Sequence, residues 1–275
     1  MALTPQLVQA YENALYAVAG GPVLRVGERN SALEQLLEKH GAASAAFVTA
    51  ANPRGEAQSH AANEAAMRRL CASLAWPALA GEGRDPQGSW SPEPSVLVLG
   101  ISREDAAALG RRFEQNAIVF VEKADAPELV LLRKMRLVLD TQVWLDWLVF
   151  DDASVAALRA WIESGRAEVL IDDAGLAELE RVLAYPLGRR RVDAAACLAA
   201  CRRTATRVEI GPGEIYELPR CRDADDQKFL TLAAGIRADC LVTRDRELLR
   251  LTSRSAPWFR IVAPAAFSLP RNRVI

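Results

Sequence analysis

The sequence predicts an α/β protein: a parallel sheet with helices on both faces fills the C-terminal half, preceded by a smaller α+β domain. Three observations predict it. From Arg136 onward, short apolar segments of strand length alternate with longer segments of helical period, the order that sets parallel strands between covering helices. The chain has 275 residues, enough for two ordinary domains. Between the halves, ADAPELVLLRK (124–134) mixes a proline with acids and bases, and Met135 then opens a segment that reads as a start point. The expected division is an α+β domain over 1–127, a linker over 128–134 and the α/β domain over 135–275. No internal repeat relates the two.

In the first part, SAAFVTAANPRG (44–55), GSWSPEPSVLVLG (88–100) and FEQNAIVFVEK (113–123) read as strands with polar ends, and 31–39 and 60–76 as helices. In the second, 136–139 is a strand. Val155, Leu158 and Ile162 share one helical face of DASVAALRAWIES (152–164). AEVLID (167–172) is a short strand, and Asp173 is placed to cap a helix over 174–184 that Pro186 stops. Residues 192–203 are helical, ATRVEI (205–210) is extended, and Gly211-Pro212-Gly213 turns the chain. A helix over 225–234, a strand ADCLVT (238–243), a short helix over 245–251 and a strand over 260–262 before Pro264 complete the alternation.

Composition bounds the function. Hydrophobic residues make up 51%, which suits packed cores and excludes a disordered chain. The net charge of −1 gives no global basic field. Of the 34 basic residues, 21 lie in 135–275, and all of these but Lys228 are arginine, whose planar fork suits phosphate. An arginine-favouring composition accounts for them equally well. The five cysteines are odd in number; Cys197 and Cys201 lie one helical turn apart with no second pair at zinc-ligand spacing. The start, MALTPQLVQAYENALYAVAGG, lacks a basic segment followed by a continuous apolar one. A cytoplasmic protein without a membrane partner is expected.

The residues that carry chemistry are acidic. MRLVLDTQVWLDWLV begins at Met135 and delivers Asp140 at the end of an apolar strand, at the edge where open α/β sheets bind ligands. Thr141 follows and is placed to orient it or to cap the next helix. Glu178 lies in LAELERVL, two residues from Glu180 and so on a different helix face. In RDADDQKFLTLA, Asp223, Asp225 and Asp226 open a helix, where a capping role competes with a ligand role. Asp245 ends LVTRD after Thr243, with Arg244 beside it as a competing ion-pair partner. Carboxylates grouped with few cations repel one another unless a hard divalent cation joins them, and oxygen-only ligands favour Mg²⁺ or Mn²⁺ over zinc.

LVLDT (137–141), the acidic helix with Glu178, DDQKFLTLA (225–233), LVTRD with RELL (241–249) and IVAPAAF (261–267) occur in an order and spacing that resemble the PIN-domain nucleases, over about half the chain. The acidic cluster and the P-x-x-F ending are most similar to the group described as toxin components of toxin–antitoxin systems. The resemblance implies a metal-dependent endoribonuclease with Asp140, Glu178, Asp226 and Asp245 as ligands of Mg²⁺ or Mn²⁺. Thr141, Asp223 and Thr243 would support them. RNA and an antitoxin protein are the partners it implies; self-association is left open. Arg189, Arg190, Arg191, Arg202, Arg203 and Arg207 form a candidate rim for a phosphate backbone. Trp144 and Trp147 are read as core before base-stacking.

Three other readings share some of these features. A receiver domain would need a late strand-end lysine where this chain has IVAPAAF. An aspartyl phosphatase would need D-x-D-x-T, but Asp140 is followed by Thr-Gln-Val. A catalytically inactive PIN fold acting as an RNA-binding or scaffold module stays open. In the first part, TAANPRG, Asn63, W-x-x-E and F-x-QNA resemble a small bacterial domain family with no assigned function. The polar residues marked by that pattern are Asn52, Arg54, Asn63, Trp90, Glu93, Gln115 and Asn116. They either line a pocket or satisfy turns. His40 and His60 are read as structural or exposed.

Overall fold

The computed structural model describes residues 2–187, 192–211 and 217–268. The chain divides into two compact units, one of Gln6–Arg133 and one of Ala2–Pro5 together with residues 134 onward.

The first unit is an antiparallel sheet with helices. In chain order it contains α1 (Pro5–Asn13), β1 (Leu15–Val18), β2 (Val23–Leu24), α2 (Ser31–Lys39), β3 (Ser44–Val48), α3 (His60–Ala72), β4 (Ala78–Arg84), β5 (Glu93–Leu99), α4 (Arg103–Arg112), β6 (Ala117–Glu122) and β7 (Glu128–Leu131). Its seven strands run β2-β1-β4-β5-β3-β6-β7. Period-two alternation divides the apolar residues between its faces. Val48, Val96 and Phe120 meet Leu70 of α3 and Ala106 of α4 on one face. Phe47, Leu97 and Val119 meet Leu33 and Leu37 of α2 on the other. α2 begins where Asn30 accepts the Leu33 N–H, and α4 where Ser102 accepts that of Asp105.

Residues 128–131 were expected in a linker. They pair instead with β6 as the edge strand β7, from Phe120↔Glu128 to Ala117↔Leu131. Only four residues long and bounded by a proline and mixed charge, ELVL offers too little alternation to declare itself.

The second unit contains β8 (Met135–Leu139), α5 (Thr141–Leu145), α6 (Ala156–Glu163), β9 (Ala167–Ile171), α7 (Asp173–Leu183), α8 (Ala194–Thr204), β10 (Ala205–Arg207), α9 (Gln227–Gly235), β11 (Cys240–Val242), α10 (Arg246–Leu249), α11 (Thr252–Ser255) and β12 (Arg260–Val262). Its five strands are ordered β10-β9-β8-β11-β12 and every pairing is parallel. Val138, Leu170, Leu241 and Ile261 form one core with Phe229 and Leu230 of α9 and Leu248 of α10. α6 packs on β9 and on the Pro264–Phe267 turn, where Trp161 meets Phe267 edge-on at 5.6 Å. Residues 2–5 are anchored here: Leu3 is fully buried, and its N–H donates to Asp239 Oδ1 at 2.7 Å. Asp239 Oδ2 accepts the Arg136 N–H at 2.9 Å.

One cap is displaced from expectation. The carboxylate that starts α7 belongs to Asp172, whose Oδ1 accepts the Gly175 N–H at 2.8 Å, because β9 ends one residue earlier than AEVLID suggests. No helix among the described residues is long and apolar enough to cross a membrane.

Candidate active site

The strand order builds a crevice before any side chain is considered. From the central β8 the chain goes out to β9 and β10, then returns to β11 on the other side of β8. The point where direction reverses opens a gap at the carboxyl ends of β8 and β11, the place where open parallel sheets bind ligands. Asp140 directly follows β8, and Thr243 directly follows β11.

Asp140 is buried and held from both sides. Its N–H extends the ladder to Val242 O at 3.1 Å. Its Oδ1 accepts the Val143 N–H at 2.8 Å and so caps α5, and its Oδ2 accepts the Thr243 hydroxyl across the crevice. Thr243 Oγ1 in turn accepts the Asp245 N–H at 2.9 Å. Burial pushes the Asp140 carboxyl up to about 6, against the lowering effect of its Thr243 and Val143 hydrogen bonds; neighbouring Asp226 adds to the rise. Thr141, buried, opens α5 and makes no side-chain bond to Asp140 that would orient it.

Asp226 stands at the N-cap position of α9 without a side-chain capping bond. Burial pushes its carboxyl up to about 6 as well, helped by the charges of Asp223, Asp245 and Glu178 and opposed by that of Lys228. Asp223 Oδ1 accepts the Asp225 N–H at 2.9 Å. Asp245 caps α10, with Oδ1 accepting the N–H of Glu247 at 2.7 Å and of Leu248 at 2.9 Å. Glu178 is partly buried on α7 and forms an ion pair with Lys228 of α9, whereas Glu180 is exposed. Asp226 is therefore the hub: it is coupled to Asp140, Asp245 and Glu178 alike. The four carboxylates are coupled through space but not drawn to one point. Among the described residues, no three His, Cys, Asp or Glu side chains are placed to hold a metal ion together.

Two neighbours of the cluster escaped the sequence reading. Lys228 supplies the cation beside Glu178. Asp146 is buried, its carboxylate taking Gln142 Nε2 and an Arg244 guanidinium nitrogen, each at 2.9 Å. Arg244 also reaches Asp152 at 3.4 Å. Arg244 is thus committed to the segment after β8, and Asp245 is left to the crevice rather than to a surface pair. The available signal was an aspartate inside the apolar run WLDWLV, since a buried carboxylate requires a cation or several donors. Burial of the Asp146–Arg244 pair is one-sided: the acid is enclosed and the arginine half-exposed.

Trp144 is buried and stacks on Trp147 at 5.6 Å and 11°. Arg202 and Arg203 are exposed at the end of α8, while Arg207 is paired with Asp173. Arg189, Arg190 and Arg191 lie outside the described residues, as do Pro212 and Gly213 of the expected turn. His40 and His60 are exposed. None of the five cysteines forms a disulfide, and Cys197, Cys201 and Cys240 are buried.

The second unit is thus an α/β domain with a five-stranded parallel sheet and acidic residues at its switch point. Residues 136–247 match the family model described as PIN domain, so the second unit carries a PIN domain. Residues 48–118 match a family described as a protein of unknown function (DUF3293). No curated protein matches the chain.

Proposed function

We propose that the second unit is a Mg²⁺- or Mn²⁺-dependent endoribonuclease whose ligands are Asp140, Glu178, Asp226 and Asp245. The observation that carries this reading is the coupling of Asp226 to Asp140, Glu178 and Asp245 at the switch-point crevice. Burial and like charge leave two of them at about 6, a poor arrangement for stability alone. The donor chemistry fits a hard divalent cation, since every proposed ligand is a carboxylate; the Cys221 thiol lies beside Asp226 and Asp245, and burial raises it away from the thiolate form that a softer metal would take. Such a cation, when bound, supplies positive charge against the phosphoryl group undergoing hydrolysis.

The chain's own residues have definable tasks. Thr243 and the Val143 N–H hold Asp140 in one orientation. Asp226, uncapped, is free to turn toward its neighbours. Lys228 neutralises Glu178 and must yield it when a cation is shared among the acids. The exposed Arg202 and Arg203 supply charge for an RNA backbone. The role of toxin with an antitoxin partner rests on the resemblance in sequence alone. It predicts growth arrest on expression of the wild type and none with Asp140→Asn.

The direct test is cleavage of labelled single-stranded RNAs by the full chain in Mg²⁺ or Mn²⁺, with EDTA as control. Wild type should cleave, Asp140→Asn and Asp226→Asn should lose nearly all activity, and Glu180→Gln should match wild type. The Glu178–Lys228 pair and the ungathered acids favour a second reading, an RNA-binding module without catalysis. RNA binding with no cleavage in either metal would establish that reading and overturn the first.

A further inference from the structure

The first unit contains a cavity of about 930 Å³ whose lining lies wholly within that unit. Its construction follows from strand register. Tyr16, Gly83 and Glu93 stand in one row across β1, β4 and β5, and Val18, Gly81 and Ser95 in the next. Two glycines on the same face of β4 leave the sheet bare where other rows carry leucine and phenylalanine. At Gly81 the exclusion is strict, because a Cβ there would come within 2.7 Å of the Phe47 ring and 2.8 Å of Ala17 O. Tyr11 of α1 and Trp90 of the loop before β5 complete the aromatic part of the wall.

Amides, hydroxyls and His60 line the cavity together with three carboxylates. Glu64, Glu82 and Glu93 line the cavity, and no lysine or arginine does. Glu64 is 3.6 Å from His60, and Glu82 is paired with Arg84, but Glu93 has no ion-pair partner among the described residues. It is partly buried and receives a single hydrogen bond, from Asn52 Nδ2 at 2.8 Å. Asn52 is itself fixed: it adopts a left-handed conformation at φ 46°, and its Oδ1 accepts from both Asn63 Nδ2 and the Gln58 N–H at 2.9 Å. One donor on a desolvated carboxylate leaves most of its acceptor capacity open. A second observation is independent of charge. Ser95 is buried at 8% exposure, lines the same cavity, and its hydroxyl has no hydrogen-bond partner. Buried hydroxyls are normally satisfied, so an unpaired one facing an open volume marks a place for a ligand atom.

We propose that this cavity binds a small organic cation, an amine or amidine carried on an apolar or aromatic body, with Glu93 as the counter-ion, Ser95 as a second polar contact and Trp90 and Tyr11 against the body. Aromatic faces attract cations, and the carboxylates on the wall repel anionic ligands. The selection is therefore by charge sign at equal shape.

The test uses the full chain and two matched pairs of probes: benzamidine against benzoate, and tyramine against 4-hydroxyphenylacetate. Isothermal titration and thermal shift should show saturable binding of both cations and none of the anions. Glu93→Gln, which keeps size and the Asn52 contact, should weaken the cations at least about tenfold. Trp90→Phe should weaken them less. Glu180→Gln in the other unit should leave the cation affinities unchanged. Equal binding of an anion and its matched cation, binding of no cation at millimolar concentration, or a Glu93→Gln protein that keeps its melting temperature and full cation affinity would each overturn the proposal.

Discussion

At Asp140, the burial that lifts the carboxyl from 3.8 to about 6 makes its ionised form costly in protein stripped of metal, on the order of 3 kcal/mol at neutral pH. The sign follows from proton linkage. A carboxyl with a raised folded pKa binds more protons folded than unfolded. Its contribution therefore favours folding most below about pH 4 and is lost as pH rises through about 6. Asp140→Asn keeps an acceptor for the Val143 N–H and removes the charge. In EDTA, its unfolding free energy should exceed that of wild type by roughly 2 kcal/mol at pH 8 and match it near pH 4. Urea denaturation across that range reads the difference. A mutant less stable than wild type at pH 8 would mean that the carboxylate is a structural cap and no more. Asp140, Asp226 and Asp245 stand out in the sequence because each follows an apolar strand or opens a helix, whereas Glu178 lies inside α7 and stands out only through the family resemblance. Lys228 and the Asp146–Arg244 pair do not stand out, because their partners are far apart in sequence and only the folded sheet brings them together.

At the scale of elements, Asp245 shows how one side chain serves two purposes. It caps α10 through two N–H groups and also contributes charge to the crevice. Two substitutions separate these. Asp245→Asn retains the cap, so its melting temperature in EDTA should stay near wild type while metal-dependent cleavage falls. Asp245→Ala should lose the same activity and, in addition, about 1 kcal/mol of stability. If Asp245→Asn cleaves normally and only Asp245→Ala is impaired, the carboxylate is a cap alone. Strands β8, β9 and β11 of the second unit were readable from the short apolar runs LVL, VLI and CLV. β4 was not, since ALAGEGR carries two glycines that open a cavity where a strand-former would fill it. α4 was missed because REDAAALGRR has few large apolar residues; its Ser102 cap and acidic first turn were the signal available.

For the whole molecule, the division at residues 133 and 134 has one exception that sequence order conceals. Residues 2–5 belong to the second unit, with Leu3 buried and bonded to Asp239. A fragment from Lys134 retains the complete parallel sheet and should unfold cooperatively. It should nonetheless be less stable than the same unit in the full chain by about 3 kcal/mol, the scale of a lost buried leucine and one lost hydrogen bond. Supplying residues 2–5 by a short fusion should restore part of that loss. Calorimetric unfolding of the three proteins checks it; a fragment as stable as the unit in the full chain would show that Leu3 and Asp239 contribute nothing.

The proposed function requires Asp140, Glu178, Asp226 and Asp245 to hold one divalent cation together. Isothermal titration of Mn²⁺ into the full chain tests it most directly, with Asp140→Asn and Asp226→Asn alongside. Saturable binding by wild type at pH 7.5, lost or severely weakened in both variants, is the predicted result. Wild-type protein that takes up no Mn²⁺, or variants that bind it as tightly as wild type, would contradict the account.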